Sequence, residues 1–434
     1  MAMLQTVPKE VLYSATQSVL VEGSSKRTTI LTPLQGAGAI SPGSIFSFDI
    51  PNQDFLDVNS MYLSFRLNVT TNATVGGADM CRVPFMTVIS AMSVQANSGS
   101  TQLESINNYA HVTNLLFDLT ADASQRYSQA YNYGLSNDSS GGWMEYTDGR
   151  NFPASATTSL GLAGPVVSSI SNCIHNFPLF ATGGLRFNFT MANLVDCFTA
   201  TTAANVTAMT LDNIELHCDL VTYGPEVQNE IANQGKIYLK TQSYATNSQA
   251  VGVLGAGSYD FLINTRLTSA RSVISWLTNG STGNKIFDST DWTSATASTP
   301  GYLSYYINGV SFPSKPMSTL NKSVVLLELK KCASDIFDMR NSAMSINNAE
   351  FSYLGTAAST TMAAPGKFYV GVNISKNSLG ADNLLGGTST NAAGIIFRLV
   401  TANATTAASS IISIVNYDGI FEIDPVLKTV YFKV

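Results

Sequence analysis

Leu185-Arg186-Phe187-Asn188-Phe189-Thr190-Met191 places an apolar side chain at every second position. A helix would spread those four apolar residues over opposite sides of its axis. A strand puts all of them on one face. Ile214-Glu215-Leu216-His217-Cys218-Asp219-Leu220 repeats the pattern, and Tyr62–Val69 follows it after its first step. Each reads as a strand with one buried face and one polar face.

Working outward, the same rhythm predicts strands at Ile45–Ile50, Met86–Val94, Ile237–Lys240, Tyr259–Ile263, Ser272–Leu277 and Leu303–Ile307. It continues at Val324–Leu329, Phe368–Ile374, Ile395–Leu399, Ile411–Val415 and Val430–Val434. Clusters of Gly, Asn, Ser and Pro between them supply turns. Many short strands with few helices imply sandwiches or barrels rather than a parallel α/β sheet. Two helices are expected. Leu103–Leu119 carries apolar residues near helical spacing, with Ser100 or Thr101 as a cap. Residues 226–234 form the second, with Pro225 suited to a first turn and Gly235 to the end. This second helix is the best boundary. It divides the chain into an arm (1–26), a first sandwich (27–224), a linker helix (225–235) and a second sandwich (236–434).

The chain has 434 residues, 45% of them apolar and only 12% charged. The charged share is about half of what soluble domains usually carry. Such a composition argues against disorder and against long solvated helices. The net charge is −6 and no basic stripe occurs; Lys26-Arg27 and Lys330-Lys331 are the densest positive spots. That excludes binding of nucleic acid by neutralising phosphates over a broad face. The five cysteines (Cys81, Cys173, Cys197, Cys218 and Cys332) are odd in number and include no CxxC pair, so buried thiols are expected. No signal peptide and no membrane-spanning run is read in the chain.

The search for site chemistry yields no catalytic, cofactor-binding or metal-binding residue. His111, His175 and His217 share no metal-ligand spacing. No GxSxG elbow, Walker lysine motif or GxGxxG after a strand is present, and Gly36-Ala37-Gly38-Ala39 reads as a loop. Asp54 with Asp57, and Asp335 with Asp338, are the carboxylate pairs nearest to a cation site, and solvated loop acids are the expectation for both. The chemistry-poor, β-rich chain with bland Ser/Thr/Ala/Gly loops suits a structural protein without cofactors.

Several ordered segments carry a resemblance. They are Ile45–Pro51 leading into Phe55–Phe65, then Ser90–Val94 running into Leu103–Tyr109. After these come Phe177-Pro178-Leu179-Phe180 with Gly183-Gly184 and Leu185–Met191. In the second half they are Thr268–Val273, Tyr306–Pro313, Phe368–Ile374 and Gly386–Thr390. In this order the chain resembles the double jelly-roll major capsid proteins of icosahedral DNA viruses, the lineage of adenovirus hexons, virophages, polinton-like viruses and tailless membrane-containing phages. The resemblance implies an all-β chain of two tandem eight-stranded jelly-roll β-sandwiches. It implies a homotrimer with six similar lobes that tiles an icosahedral shell beside neighbouring capsomers, penton and minor capsid proteins. It also implies location in the virion after assembly inside the host cell, no sequence-specific nucleic acid contact, and an N-terminal arm able to reach an internal membrane. The alternative is a secreted β-sandwich carbohydrate-binding or adhesion module, which would bring a signal peptide, paired cysteines or calcium-binding acids. An enzyme on a double jelly roll, the third class, would bring clustered His and Glu.

Overall fold

The computed structural model describes residues 24–434 except 37, 73–76, 81, 97–98, 138–145, 148–149, 174, 199–202, 234, 279–300, 334–343, 345, 347–350, 352–365, 377–384 and 402–408. Eight strands build the first sandwich: β1 (Ser25–Leu31), β2 (Ile45–Ile50), β3 (Phe55–Thr71), β4 (Ile89–Ala96), β5 (Thr101–Ile106), β6 (Thr157–Pro165), β7 (Leu185–Met191) and β8 (Val206–Thr222). Eight more build the second: β9 (Ile237–Val251), β10 (Gly257–Ile263), β11 (Ala270–Leu277), β12 (Tyr302–Ile307), β13 (Val310–Ser318), β14 (Val370–Asn373), β15 (Ile395–Thr401) and β16 (Ser409–Asp424). A closing strand, β17 (Thr429–Lys433), turns back along β16.

The sheet orders are β1-β8-β3-β6 and β2-β7-β4-β5, then β9-β16-β11-β14 and β10-β15-β12-β13. Counted within each sandwich, both halves therefore read 1-8-3-6 against 2-7-4-5. This is the jelly-roll order, in which each long connection crosses from one sheet to the other. Two sequences without a visible repeat thus take one topology twice.

Alternation explains the packing. Along β3 the odd positions Met61, Leu63, Phe65, Leu67 and Val69 are buried, while Tyr62 and Arg66 face outward. On β2 and β7, Phe46, Phe48, Phe187 and Phe189 are fully buried, with Phe46 stacked on Phe189 at 5.6 Å between centroids. In the second sandwich Phe261, Tyr305 and Phe397 fill the same layer, with Tyr305 4.9 Å from Phe397. Each such aromatic stabilises the fold by about 1.5–3 kcal/mol through burial.

Three local readings differ from the sequence expectation. The helix expected over Leu103–Leu119 begins only at α1 (Tyr109–Thr120), because Thr101–Ile106 pairs in register with β4 and the Asn107-Asn108 step breaks the strand. Pairing to a neighbour overrides helical spacing there. A further helix, α2 (Ala123–Tyr133), follows at once. Its signals were legible: Asp122 and Gln125 form a reciprocal capping box, and Gly134 ends the helix at φ 75°. The linker helix α3 (Pro225–Asn233) lies where the sequence put it. Val324–Leu329, expected as a strand, lies inside α4 (Lys322–Ala333). A short apolar run does not separate strand from helix, and Lys330 and Lys331 in the last turn favour the helix by opposing its dipole.

Candidate functional site: the seam and the outer sheet faces

The two sandwiches meet along a seam that buries charge. Glu104 on β5 is 4% exposed. Its carboxylate accepts the Ser169 backbone N–H at 2.8 and 3.0 Å and the hydroxyl of Ser243 on β9. The Thr241 hydroxyl donates to the Ser169 carbonyl, and the Asn172 side-chain amide donates to the Gln242 carbonyl at 3.1 Å. One carboxylate of the first sandwich thus ties a loop of its own half to the first strand of the second. Burial raises the Glu104 pKa, and the hydrogen bonds from Ser243 and Ser169 oppose that rise only in part. Burial and the nearby Glu104 also push the phenols of Tyr244 and Tyr417 up to about 12.

A second cluster centres on Asp118 of α1, which is 2% exposed. Arg82 lies 3.3 Å from it, Arg126 closes on it from α2, and Lys367 of the second half approaches to 3.3 Å. The Tyr369 hydroxyl donates to Asp118 at 3.0 Å and accepts from Arg82 at 2.6 Å. Buried ion clusters contribute little net stability, but removing one member leaves the others uncompensated. The cluster therefore fixes how one sandwich sits on the other.

Between these clusters α1 lies over the outer face of the sheet β9-β16-β11-β14. Val112, Leu115, Leu116 and Leu119 face Tyr244, Ile274, Ile414 and Asn416 across a crevice of about 170 Å³. On the matching outer face of the first sandwich, Ile30 is 55% and Tyr62 40% exposed among the described residues. There the His217 ring stacks on Tyr62 at 4.4 Å and 6°, and the imidazole sits 3.1 Å from Glu215 and 3.2 Å from Ser64. Arg66 grips Asp212 through two hydrogen bonds of 2.7 and 3.0 Å on the same face.

The sequence candidates scatter. His111 lies 6.1 Å from the Trp276 ring, His175 is exposed on a loop, and His217 is held as described. Asp54 pairs with Arg27 at 3.2 Å and Asp57 with Lys26 at 2.8 Å, so cations of the chain already occupy this carboxylate pair. Asp335 and Asp338 lie outside the described residues. Among the described residues no group of three His, Cys, Asp or Glu could hold a metal ion. Cys173, Cys197 and Cys218 are buried free thiols; burial pushes Cys173 up to about 12 and Cys218 to about 11. What sequence reasoning missed is the seam. Nothing in the sequence around Glu104 announces a buried partner across the chain.

No protein-family model and no curated protein matches the chain. Solved structures do. PBCV-1 VP54, fitted into a reconstruction of the virophage Sputnik, superposes with a TM-score of 0.60 at 10% identity, covering 94% of this chain and 96% of that one. The Faustovirus major capsid protein superposes at 0.58 and 9% identity, covering 96% and 94%. A chain of the Sputnik virophage structure gives 0.54 at 13% identity, covering 100% and 93%. Nearly the whole of each chain takes part, so the likeness extends to the pairing of the two sandwiches. By strand order and by superposition, this chain has the double jelly-roll fold of viral major capsid proteins.

Proposed function

We propose that the chain is a structural protein of a virus shell, the major capsid protein of an icosahedral DNA virus. The observation that carries this reading is the pair of 1-8-3-6 and 2-7-4-5 sandwiches, joined at a rigidly bonded seam and matched end to end by the Faustovirus major capsid protein. The proposed units are an N-terminal arm, expected over 1–26 but ending before β1 begins at Ser25, the two jelly rolls up to 224 and over 236–434, and the linker 225–235. Three chains would assemble into a ring with six similar lobes. Such rings would tile a shell beside neighbouring capsomers, with penton and minor capsid proteins as further partners. The arm would face the inside, where an internal membrane is a candidate contact. The protein would work in the virion, as a shell element rather than an enzyme. Burial of apolar surface between copies would supply the cohesion, and interfaces of this obligate kind often exceed ~2,000 Å².

Light scattering after size exclusion tests the reading. The expected mass is three times the 46.2 kDa of one chain. A species that stays monomeric across salt and concentration overturns it, and would turn attention to glycan screens for a binding module.

A further inference from the structure

Two helices lie against the outer face of the sheet β9-β16-β11-β14, and they fit it differently. α4 is seated without spare room: a side chain placed at Gly371 of β14 would come within 2.9–3.1 Å of Cys332, Leu329 and Ile274. α1 arrives from the first sandwich and leaves a gap of about 170 Å³ over the same sheet. The apolar residues around the gap are interior ones. Val112, Leu115 and Leu119 on the helix, with Ile274 and Ile414 on the sheet, are each at most 6% exposed. The gap therefore belongs to the joint between the two jelly rolls and not to a free surface.

Two of its polar groups are satisfied within their own helices. The Thr120 hydroxyl donates to the Leu116 carbonyl at 2.6 Å, and the Cys332 thiol donates to the Glu328 carbonyl at 3.5 Å. Asn416 differs. It sits on the cavity floor in the row Tyr244–Asn416–Ser272. Its side-chain oxygen is buried and has no hydrogen-bond partner among the described residues. A buried acceptor without a donor is costly, and an unfilled apolar cavity forfeits the contacts of a packed interior. One ligand removes both costs.

Size and chemistry define its class. Cavities of about 150 Å³ lined by Leu, Ile and Phe take up benzene, whereas sites for drug-sized molecules begin near ~300 Å³. The occupant is thus the size of one small ring. The Asn416 oxygen can only accept, so the occupant brings a donor. Among the described residues no charged side chain lines the cavity, so an ion would lose its hydration without a partner.

We propose that the joint holds a binding site for a small neutral molecule of the phenol class, one apolar ring with a single hydroxyl or N–H group. The ring lies between α1 and the strands β9, β16 and β11, and its donor bonds the Asn416 oxygen. Such a ligand touches both jelly rolls at once. It binds the joined state and not the unfolded chain, so it raises stability by mass action. The site lies within one chain and does not depend on the ring assembly proposed above.

The test titrates the full-length chain with phenol, benzene and glycerol by isothermal calorimetry. Phenol should bind once per chain with a Kd of about 1 mM or tighter. Benzene lacks the donor and should bind about tenfold more weakly, and glycerol should not bind. Asn416→Ala removes the acceptor; it should bring phenol down to the benzene level while benzene binding persists. Ser272→Phe puts a ring on the cavity floor and should abolish binding of both, with an unchanged strand signal by circular dichroism. Should S272F fail to fold, the phenol-to-benzene ratio in N416A still decides. Wild-type protein that takes up no phenol overturns the proposal. So does phenol binding that keeps its strength and its preference over benzene in N416A.

Discussion

Replacing Glu104 by Gln should stabilise the protein increasingly as pH rises from about 4.5 toward 8. Glu104 is buried in the seam, and that burial raises its pKa above the ordinary 4.5. The sign follows from linkage. A carboxyl whose folded pKa is raised binds its proton more tightly in the native state. The native state is thus favoured below the unfolded value and loses that advantage as pH climbs toward the folded one. Each unit of upward shift corresponds to about 1.4 kcal/mol lost above the folded pKa. Glutamine carries no such cost. Its carbonyl oxygen accepts the Ser169 N–H, and its amide can donate to the Ser243 hydroxyl oxygen. Glu104→Ala should behave differently. It leaves the Ser169 N–H and the Ser243 hydroxyl without their acceptor, each unsatisfied group costing about 1–3 kcal/mol. The assay is urea unfolding of wild type, E104Q and E104A between pH 4.5 and 8, at one protein concentration so that assembly contributes equally. The account requires the difference between E104Q and wild type to grow with pH. A difference that stays flat over this range would refute the claim that Glu104 is the strained, titrating group of the seam.

Other outcomes follow from the same structure. Phe189→Ala should cost about 3–5 kcal/mol in an unfolding titration, since it empties a fully buried ring site in contact with Phe46 and Phe48. Removing the Arg66–Asp212 pair by R66A should shift the unfolding midpoint only slightly, because the arginine is half exposed and solvent screens the pair, and high salt should erase most of the effect. A thiol reagent at pH 8 should leave Cys173 and Cys218 untouched in the native protein, as burial keeps both protonated, and should modify them once urea is added; peptide mapping by mass spectrometry reads this directly.

The strands were legible because their pattern is local. Leu185–Met191 and Ile214–Leu220 state their buried face residue by residue, and the turns between strands declare themselves through Gly and Asn. The pairing was not legible. Nothing in Ser25–Leu31 announces that it lies along Leu216–Thr222, nearly two hundred residues away. Short apolar runs were ambiguous, as Val324–Leu329 shows: four apolar residues in a row fit either a strand or the helix they form. The seam was the least accessible. Glu104, Ser169 and Ser243 are unremarkable polar residues in sequence, and only the fold brings them into one buried cluster.

Single-particle electron microscopy of the purified assembly tests the central claim most directly. The account predicts a ring built from three chains with six lobes of similar size, each lobe one jelly roll, and sandwich one of each chain meeting sandwich two of the next. An image of isolated two-lobed monomers, or of a two-fold dimer joined through one repeated patch, would contradict it.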